Sequence, residues 1–210
     1  MKHPRIFQLR GLYAISDGPR RDLLDVCAAA LEGGTAILQY RDKTVDCVRR
    51  LRDAYALQEL CARYRVPLIV NDDIELAGTV GAAGVHLGKD DGAIAIARTR
   101  LGTDAIIGAS CYDSLDRARA MAAAGADYLA FGALFPSPTK PGARIASTRL
   151  LRDAKPLDLP LVAIGGITAD NARSLIDAGA DAVAVISALF DARDVRAAAR
   201  RFADLFGPTH

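Results

Sequence analysis

No apolar run in the 210 residues approaches the ~20 that a membrane-spanning helix needs. The N-terminal MKHPRIFQLR carries charge but no apolar signal core. Net charge is small: 27 Lys+Arg against 25 Asp+Glu leave +2. A pI of about 8.4 is too mild to mark a nucleic-acid-binding surface. Cysteine is sparse. Cys27, Cys47, Cys61 and Cys111 lie 20, 14 and 50 residues apart, with no C-x-x-C pair. That spacing fits neither a zinc knuckle nor a disulfide framework. The thiols read as reduced, in a cytoplasmic protein, with Cys27 and Cys61 as filler inside helices. Linkers and low-complexity tracts are missing as well. What is present, 51% hydrophobic and 25% charged residues, is ordinary globular composition. A chain of this length buries ~70% of its unfolded surface, so one domain over residues 1–210 is expected.

Short β-rich runs recur at Leu12–Ser16, Ala36–Tyr40, Pro67–Asn71, Gly84–Leu87, Ala105–Ser110, Asp127–Phe131, Leu161–Ile164 and Ala182–Ile186. They start about every 24 residues, the length of one strand, one helix and two turns. Each is as short and apolar as a strand buried on both faces. Between them, Arg21–Glu32, Val45–Arg63, Asp113–Ala124, Asp170–Ala178 and Val195–Phe206 carry apolar residues at helical spacing. The joints repeat one grammar. GGTAILQ from Gly33, GAAGVHL from Gly81, AGADYLAF from Ala124 and AGADAVAV from Ala178 place glycine where a helix needs a left-handed end, then start a strand. Eight such units predict an α/β fold of the (β/α)8 TIM-barrel type. The competing open doubly wound sheet would show G-x-G-x-x-G after its first strand, where this chain has Ser16-Asp17-Gly18-Pro19.

In a barrel of this kind the chemistry gathers at the carboxyl ends of the strands. Those ends here are polar: Gln39-Tyr40-Arg41-Asp42-Lys43, Asn71-Asp72-Asp73, His86 to Asp91, and Ser110. Strand six runs into Gly132–Gly142, strand seven into Gly165-Gly166, and strand eight into Ile186-Ser187. Arg41, Lys43 and Lys140 are cations from separate loops, and Asp72 and Asp91 are carboxylates from two others. Carboxylate oxygens suit Mg2+, which takes one or two of them together with water and substrate phosphate. Cations and Mg2+ together neutralise a pyrophosphate. Asp42 or Lys89 taken alone reads as a solvated loop charge. Gly165-Gly166 lets backbone N–H groups approach an anion. With Ser187 on the next strand it marks the phosphate site common between strands seven and eight of this fold. The 132–160 stretch is the longest gap, and Ser137–Gly142 is expected to close over substrate with Lys140 on a phosphate. His86, inside strand four, reads as a hydrogen-bonded barrel histidine, with a general base as the alternative.

LYAISD at 12–17, LQYRDK at 38–43, VNDDIELA at 70–77 and GVHLGKDD at 84–91 lead a series that runs nearly the whole chain. GAS at 108–110, FGALFPSPTKPGA at 131–143, AIGGI at 163–167 and VAVISALF at 183–190 complete it. Together these segments resemble the thiamine phosphate synthase family. The resemblance implies a transferase that joins hydroxymethylpyrimidine pyrophosphate to a thiazole phosphate and releases pyrophosphate. The C–O bond would ionise to a pyrimidine-stabilised carbocation that the thiazole nitrogen attacks. By position, Gln39, Arg41, Lys43 and Asn71 would contact the pyrimidine pyrophosphate, and Asp72 and Asp91 would hold Mg2+. Ser110 and Lys140 would bind the pyrimidine substrate or its leaving group. Ser137 and Thr139 would face the thiazole phosphate, with Gly165 or Gly166, Ile186 and Ser187 around its phosphate. The chain departs from the family pattern at Ser137, often Thr, and at Lys89, often Gln. Three other readings stand beside this one. A thiazole tautomerase barrel would keep the strand-seven and strand-eight site but would not need Gln39, Arg41, Lys43 and two carboxylates. A phosphosugar isomerase would use His86 or Asp72 as base. A non-catalytic thiamine-precursor-binding protein would keep the pocket without turnover.

Overall fold

Eight parallel strands pair in chain order and the eighth returns to the first, closing a barrel. The computed structural model describes residues 9–88, 94–136 and 145–207. The strands are β1 (Gly11–Ile15), β2 (Thr35–Tyr40), β3 (Leu68–Asn71), β4 (Gly84–Leu87), β5 (Ile106–Tyr112), β6 (Tyr128–Phe131), β7 (Leu161–Ile164) and β8 (Ala182–Val185). The helices are α1 (Leu23–Glu32), α2 (Cys47–Tyr64), α3 (Ile74–Val80), α4 (Ile94–Leu101), α5 (Leu115–Ala123), α6 (Arg149–Ala154), α7 (Ala172–Asp177), α8 (Ser187–Phe190) and α9 (Val195–Asp204). The expected barrel is therefore the observed one, with strand limits displaced by one or two residues. α3, α4, α6 and α8, each eight residues or fewer, lie outside the helical stretches read from periodicity.

Side chains alternate along each strand. Leu12, Ala14, Leu38, Tyr40, Val85 and Leu129 turn outward into the layer beneath the helices. Tyr13, Ile15, Ile37, Ile69, Tyr128, Val162 and Ala184 fill the barrel. Cys27, Cys61 and Cys111 belong to the outer layer. Burial pushes the Cys61 and Cys111 thiols up to about 12 and raises Cys27 as well, so none is poised as a nucleophile.

The repeated joints take the expected left-handed glycine at Gly34, Gly81, Gly125 and Gly179. In the first copy the residue is Gly34, with φ +100, and not Gly33, which is right-handed. Gly33 has a different reason to lack a side chain: a Cβ there would lie 2.5 Å from the Arg196 carbonyl oxygen of α9. The aspartates of the two AGAD copies perform one task at the amino end of the barrel. Asp127 accepts the N–H of Ile107 at 2.7 Å and pairs with Arg98. Asp181 accepts the N–H of Leu161 at 2.8 Å and pairs with Lys155. Each carboxylate thus satisfies an amide at the start of the neighbouring strand, the second of β5 and the first of β7, and the chemistry-bearing end is left to the other rim. Among the described residues no helix is long and apolar enough to cross a membrane.

Candidate active site

The strand ends that hold the expected residues open at one mouth. Asp91, Ser137, Thr139 and Lys140, with Lys89 and the rest of the expected 137–142 closing segment, lie outside the described residues. The remaining set comes from β2, β3, β5, β7 and β8.

At β2, Gln39 is buried and its Nε2 donates to the Tyr13 hydroxyl at 2.7 Å. The backbone N–H of Arg41 donates to Oγ of the fully buried Ser16 at 2.9 Å, which fixes where the arginine leaves the strand. Its guanidinium makes no ion pair among the described residues. Lys43 pairs across the rim with the Asp72 carboxylate. At β3, Asn71 donates its side-chain amide to the same carboxylate. Asp72 sits at φ +65, a left-handed position that aspartate tolerates better than most residues. Its backbone N–H donates to the His86 carbonyl at 2.9 Å. The next aspartate is spent on structure: Asp73 caps α3 through the Leu76 N–H and pairs with Arg50 at 2.7 Å. Both aspartates line the same cleft, but Asp72 caps no helix: its carboxylate takes the side chains of Lys43 and Asn71.

Asp42 is not the solvated loop charge that its position implied. Its side chain is wholly buried and accepts from the Thr44 N–H (2.8 Å), the Thr44 hydroxyl (2.7 Å) and Arg49 (3.0 Å). Burial alone would raise this carboxyl, but the Thr44 bonds and the Arg49 guanidinium outweigh it and hold Asp42 below its usual range. A carboxyl depressed in the fold adds stability above its unfolded pKa of about 3.9, and that stability is lost as pH falls through the lower folded value. Asp42→Asn is therefore expected to cost about 2 kcal/mol at neutral pH. Urea midpoints should show it, with the gap to wild type closing below about pH 4.

Farther round the rim, Ser110 on β5 meets His86 Nε2 at 2.9 Å. Its carbonyl accepts from Arg117 Nε at 2.7 Å, and the same guanidinium reaches the Gly88 carbonyl at 3.1 Å, tying β4 to β5. The β6 loop is laced onto β7: the Leu134 N–H donates to Ile164 and the Phe135 N–H to Gly165. Gly165 and Gly166 both adopt positive φ. A Cβ at Gly166 would lie 2.3 Å from the Pro136 carbonyl oxygen, and one at Gly165 would lie 2.6 Å from Ala133 Cα. The glycine pair thus serves close seating of the loop as well as backbone exposure. Ile186 and Ser187, both half-buried, join β8 to the four-residue α8.

A cleft of about 510 Å³ opens outward from Lys43, Asn71 and Asp72, across Asp73, Arg50 and Arg100. Among the described residues no three His, Cys, Asp or Glu side chains converge as a ready metal cage. Mg2+ does not require one, since it is held by one or two carboxylates with substrate phosphate and water completing the shell. The Asp72 carboxylate, a hard donor at the mouth of this cleft, fits one such position. Sequence reasoning missed Ser16, Tyr13, Tyr128 and Arg117. For Tyr13 and Tyr128 the available sign was an aromatic hydroxyl at an inward strand position, where it must find a partner.

A family model described as thiamine monophosphate synthase matches residues 12–189. The thiamine-phosphate synthase of Nitrosococcus oceani is 56% identical over 202 residues, covering 94% of this chain and 93% of the relative. That of Chromobacterium violaceum is 57% identical over 202 residues, covering 95% and 98%. Among solved structures, thiamine phosphate pyrophosphorylase from Pyrococcus furiosus superposes with a TM-score of 0.87 at 35% identity, covering 95% of this chain and 96% of that one.

Proposed function

Because this chain belongs to the thiamine monophosphate synthase family, we propose that it joins hydroxymethylpyrimidine pyrophosphate to a thiazole phosphate, giving thiamine phosphate and pyrophosphate. It is a transferase of the thiamine-phosphate synthase type. The pyrimidine methylene C–O bond breaks with its electron pair leaving on the pyrophosphate. The pyrimidine ring spreads the resulting positive charge, and the thiazole nitrogen supplies the pair that forms the new C–N bond.

The residues divide the work by strand. Gln39, Asn71 and Ser110 orient the pyrimidine, while Arg41 and Lys43 meet the charge that grows on the pyrophosphate. Lys140 joins these cations. Gly165, Gly166, Ile186 and Ser187 hold the thiazole phosphate opposite, with Ser137 and Thr139 on the same substrate. Mg2+ held by Asp72 and Asp91, when bound, supplies further positive charge for the leaving group. No strong general base is required, in keeping with a His86 whose two ring nitrogens engage Tyr128 and Ser110. The observation that carries this reading is an Arg41 guanidinium with no ion pair among the described residues, on the same β2 end as Lys43, which itself pairs with Asp72 at the end of β3.

The test is to mix the pyrimidine pyrophosphate, the thiazole phosphate and Mg2+ with the protein. Thiamine phosphate and pyrophosphate are expected in equal amounts, abolished by EDTA and restored by Mg2+. Isomerisation of thiazole phosphate alone would instead identify a tautomerase. Binding without pyrophosphate release would identify a precursor-binding protein.

A further inference from the structure

A line of side chains crosses the barrel interior between two of the residues assigned to the pyrimidine. Gln39 Nε2 donates to Tyr13 Oη at 2.7 Å, and Tyr13 Oη lies 2.7 Å from Tyr128 Oη. Tyr128 Oη lies 3.0 Å from His86 Nδ1, and His86 Nε2 lies 2.9 Å from Ser110 Oγ. The two tyrosine rings are fully buried or nearly so and meet edge to face, and His86 lies nearly parallel to Tyr128. Every one of these groups sits on a different strand, so their alignment is built by the barrel itself. Burial raises both phenols above their ordinary range, and each therefore keeps its single proton at any working pH.

That single proton gives the line a direction. Tyr13 receives the Gln39 amide proton, so its own passes to Tyr128, whose proton in turn reaches His86 Nδ1. The imidazole is then protonated on Nε2 and donates to Ser110 Oγ. The Ser110 hydroxyl proton is left for the mouth, and Gln39 keeps Oε1, which has no partner among the described residues, as an acceptor. We propose that Tyr13, Tyr128 and His86 act as a positioning relay that locks Gln39 as acceptor and Ser110 as donor, and so selects an aminopyrimidine over its oxo counterpart. An aminopyrimidine offers an exocyclic N–H beside a bare ring nitrogen, the complement of that pair. An oxopyrimidine offers the reverse. Accepting it would require every bond of the line to turn together, and low-dielectric burial makes a half-turned line costly.

The proposal rests on the reading that Gln39 and Ser110 face the pyrimidine, and two measurements separate it from that reading. The first needs no substrate. Of the three histidines, His3 and His210 are terminal, so the 15N signals of His86 are assigned by comparison with His86→Gln. The Nε2–H tautomer is expected in wild type and a tautomer mixture in Tyr128→Phe. An Nδ1–H tautomer in wild type would overturn the relay. The second compares kcat/KM for the aminopyrimidine pyrophosphate with that for its oxo analogue. Wild type is expected to prefer the amino form by about 100-fold or more. Tyr128→Phe and Tyr13→Phe should each narrow that ratio about tenfold, with the KM for thiazole phosphate within about twofold of wild type. Equal loss on both pyrimidines, with an unchanged ratio, would reduce the tyrosines to packing. If Gln39→Ala and Ser110→Ala leave the pyrimidine KM unchanged while the Nε2–H tautomer is observed, the substrate reading fails and the relay stands as a structural device.

Discussion

Arg41→Ala is expected to lower kcat by about 10²–10³-fold while the thermal midpoint stays within about 2 °C of wild type. The two halves of that expectation have separate causes. Arg41 is anchored by its backbone, through the Ser16 hydroxyl, and its guanidinium holds no ion pair among the described residues. Removing the head group therefore breaks nothing that the barrel depends on. On the proposed reading, what it does remove is a preplaced positive charge that would meet the negative charge growing on a departing pyrophosphate, where reorganising water is a poor substitute. Lys43→Ala is a less clean probe, because Lys43 also pairs with Asp72. Steady-state rates at saturating substrates, together with a melting curve, check the expectation. An Arg41→Ala enzyme of normal kcat would move the pyrophosphate away from β2.

A second substitution is expected to act through packing. A Cβ on Gly108 would lie 1.9 Å from Tyr128 Cζ and 2.2 Å from its hydroxyl oxygen. Tyr128 is wholly enclosed, between Tyr13 on one side and His86 on another. The ring has no vacant space to enter, and a filled interior resists added volume. Gly108→Ala should cost about 3 kcal/mol, which for a chain of this size lowers the melting temperature by roughly 6–12 °C. Adding Tyr128→Leu, which withdraws the colliding end of the ring, should recover part of that loss without restoring the hydrogen-bonded line. A Gly108→Ala protein that melts with wild type would show that the ring is free to shift.

The barrel was legible because its information is local and repeated. Apolar runs four to six residues long recur about every 24 residues, and glycine ends a helix at four of the joints, with aspartate before the strand at two of them. α3, α4, α6 and α8 escaped because four to eight residues span only about one to two helical turns, too few for an apolar period to repeat. α3 was further hidden by its cap, Asp73, which sits in the same NDD triplet as Asp72. The candidate rim was legible as a place, since polar residues gather mostly after the strands, while those before them, such as Asp127 and Asp181, are few. Asp72 and Asp73 differ in their partners: Asp73 is spent on α3 and Arg50, while Asp72 takes Lys43 and Asn71. Asp42 was misread because its partners, Thr44 and Arg49, become partners only when the loop folds back. The line from Gln39 to Ser110 left only single signs, a barrel histidine and two inward aromatic hydroxyls, with nothing local to join them. Tyr13 and Tyr128 are 115 residues apart in the chain, and only the closing of the sheet makes them neighbours.

That closing also orders events in the cell. β1 needs β8 as well as β2, with Leu12 opposite Val183 and Thr35. A nascent chain leaves the ribosome with β1 first and β8 nearly last. Throughout synthesis the opening strand therefore shows one unpaired edge, on a strand whose five residues are all buried in the closed barrel. Slow translation of the last quarter of the message prolongs that exposure, and its cost would fall on the yield of folded protein and not on the durability of the finished ring.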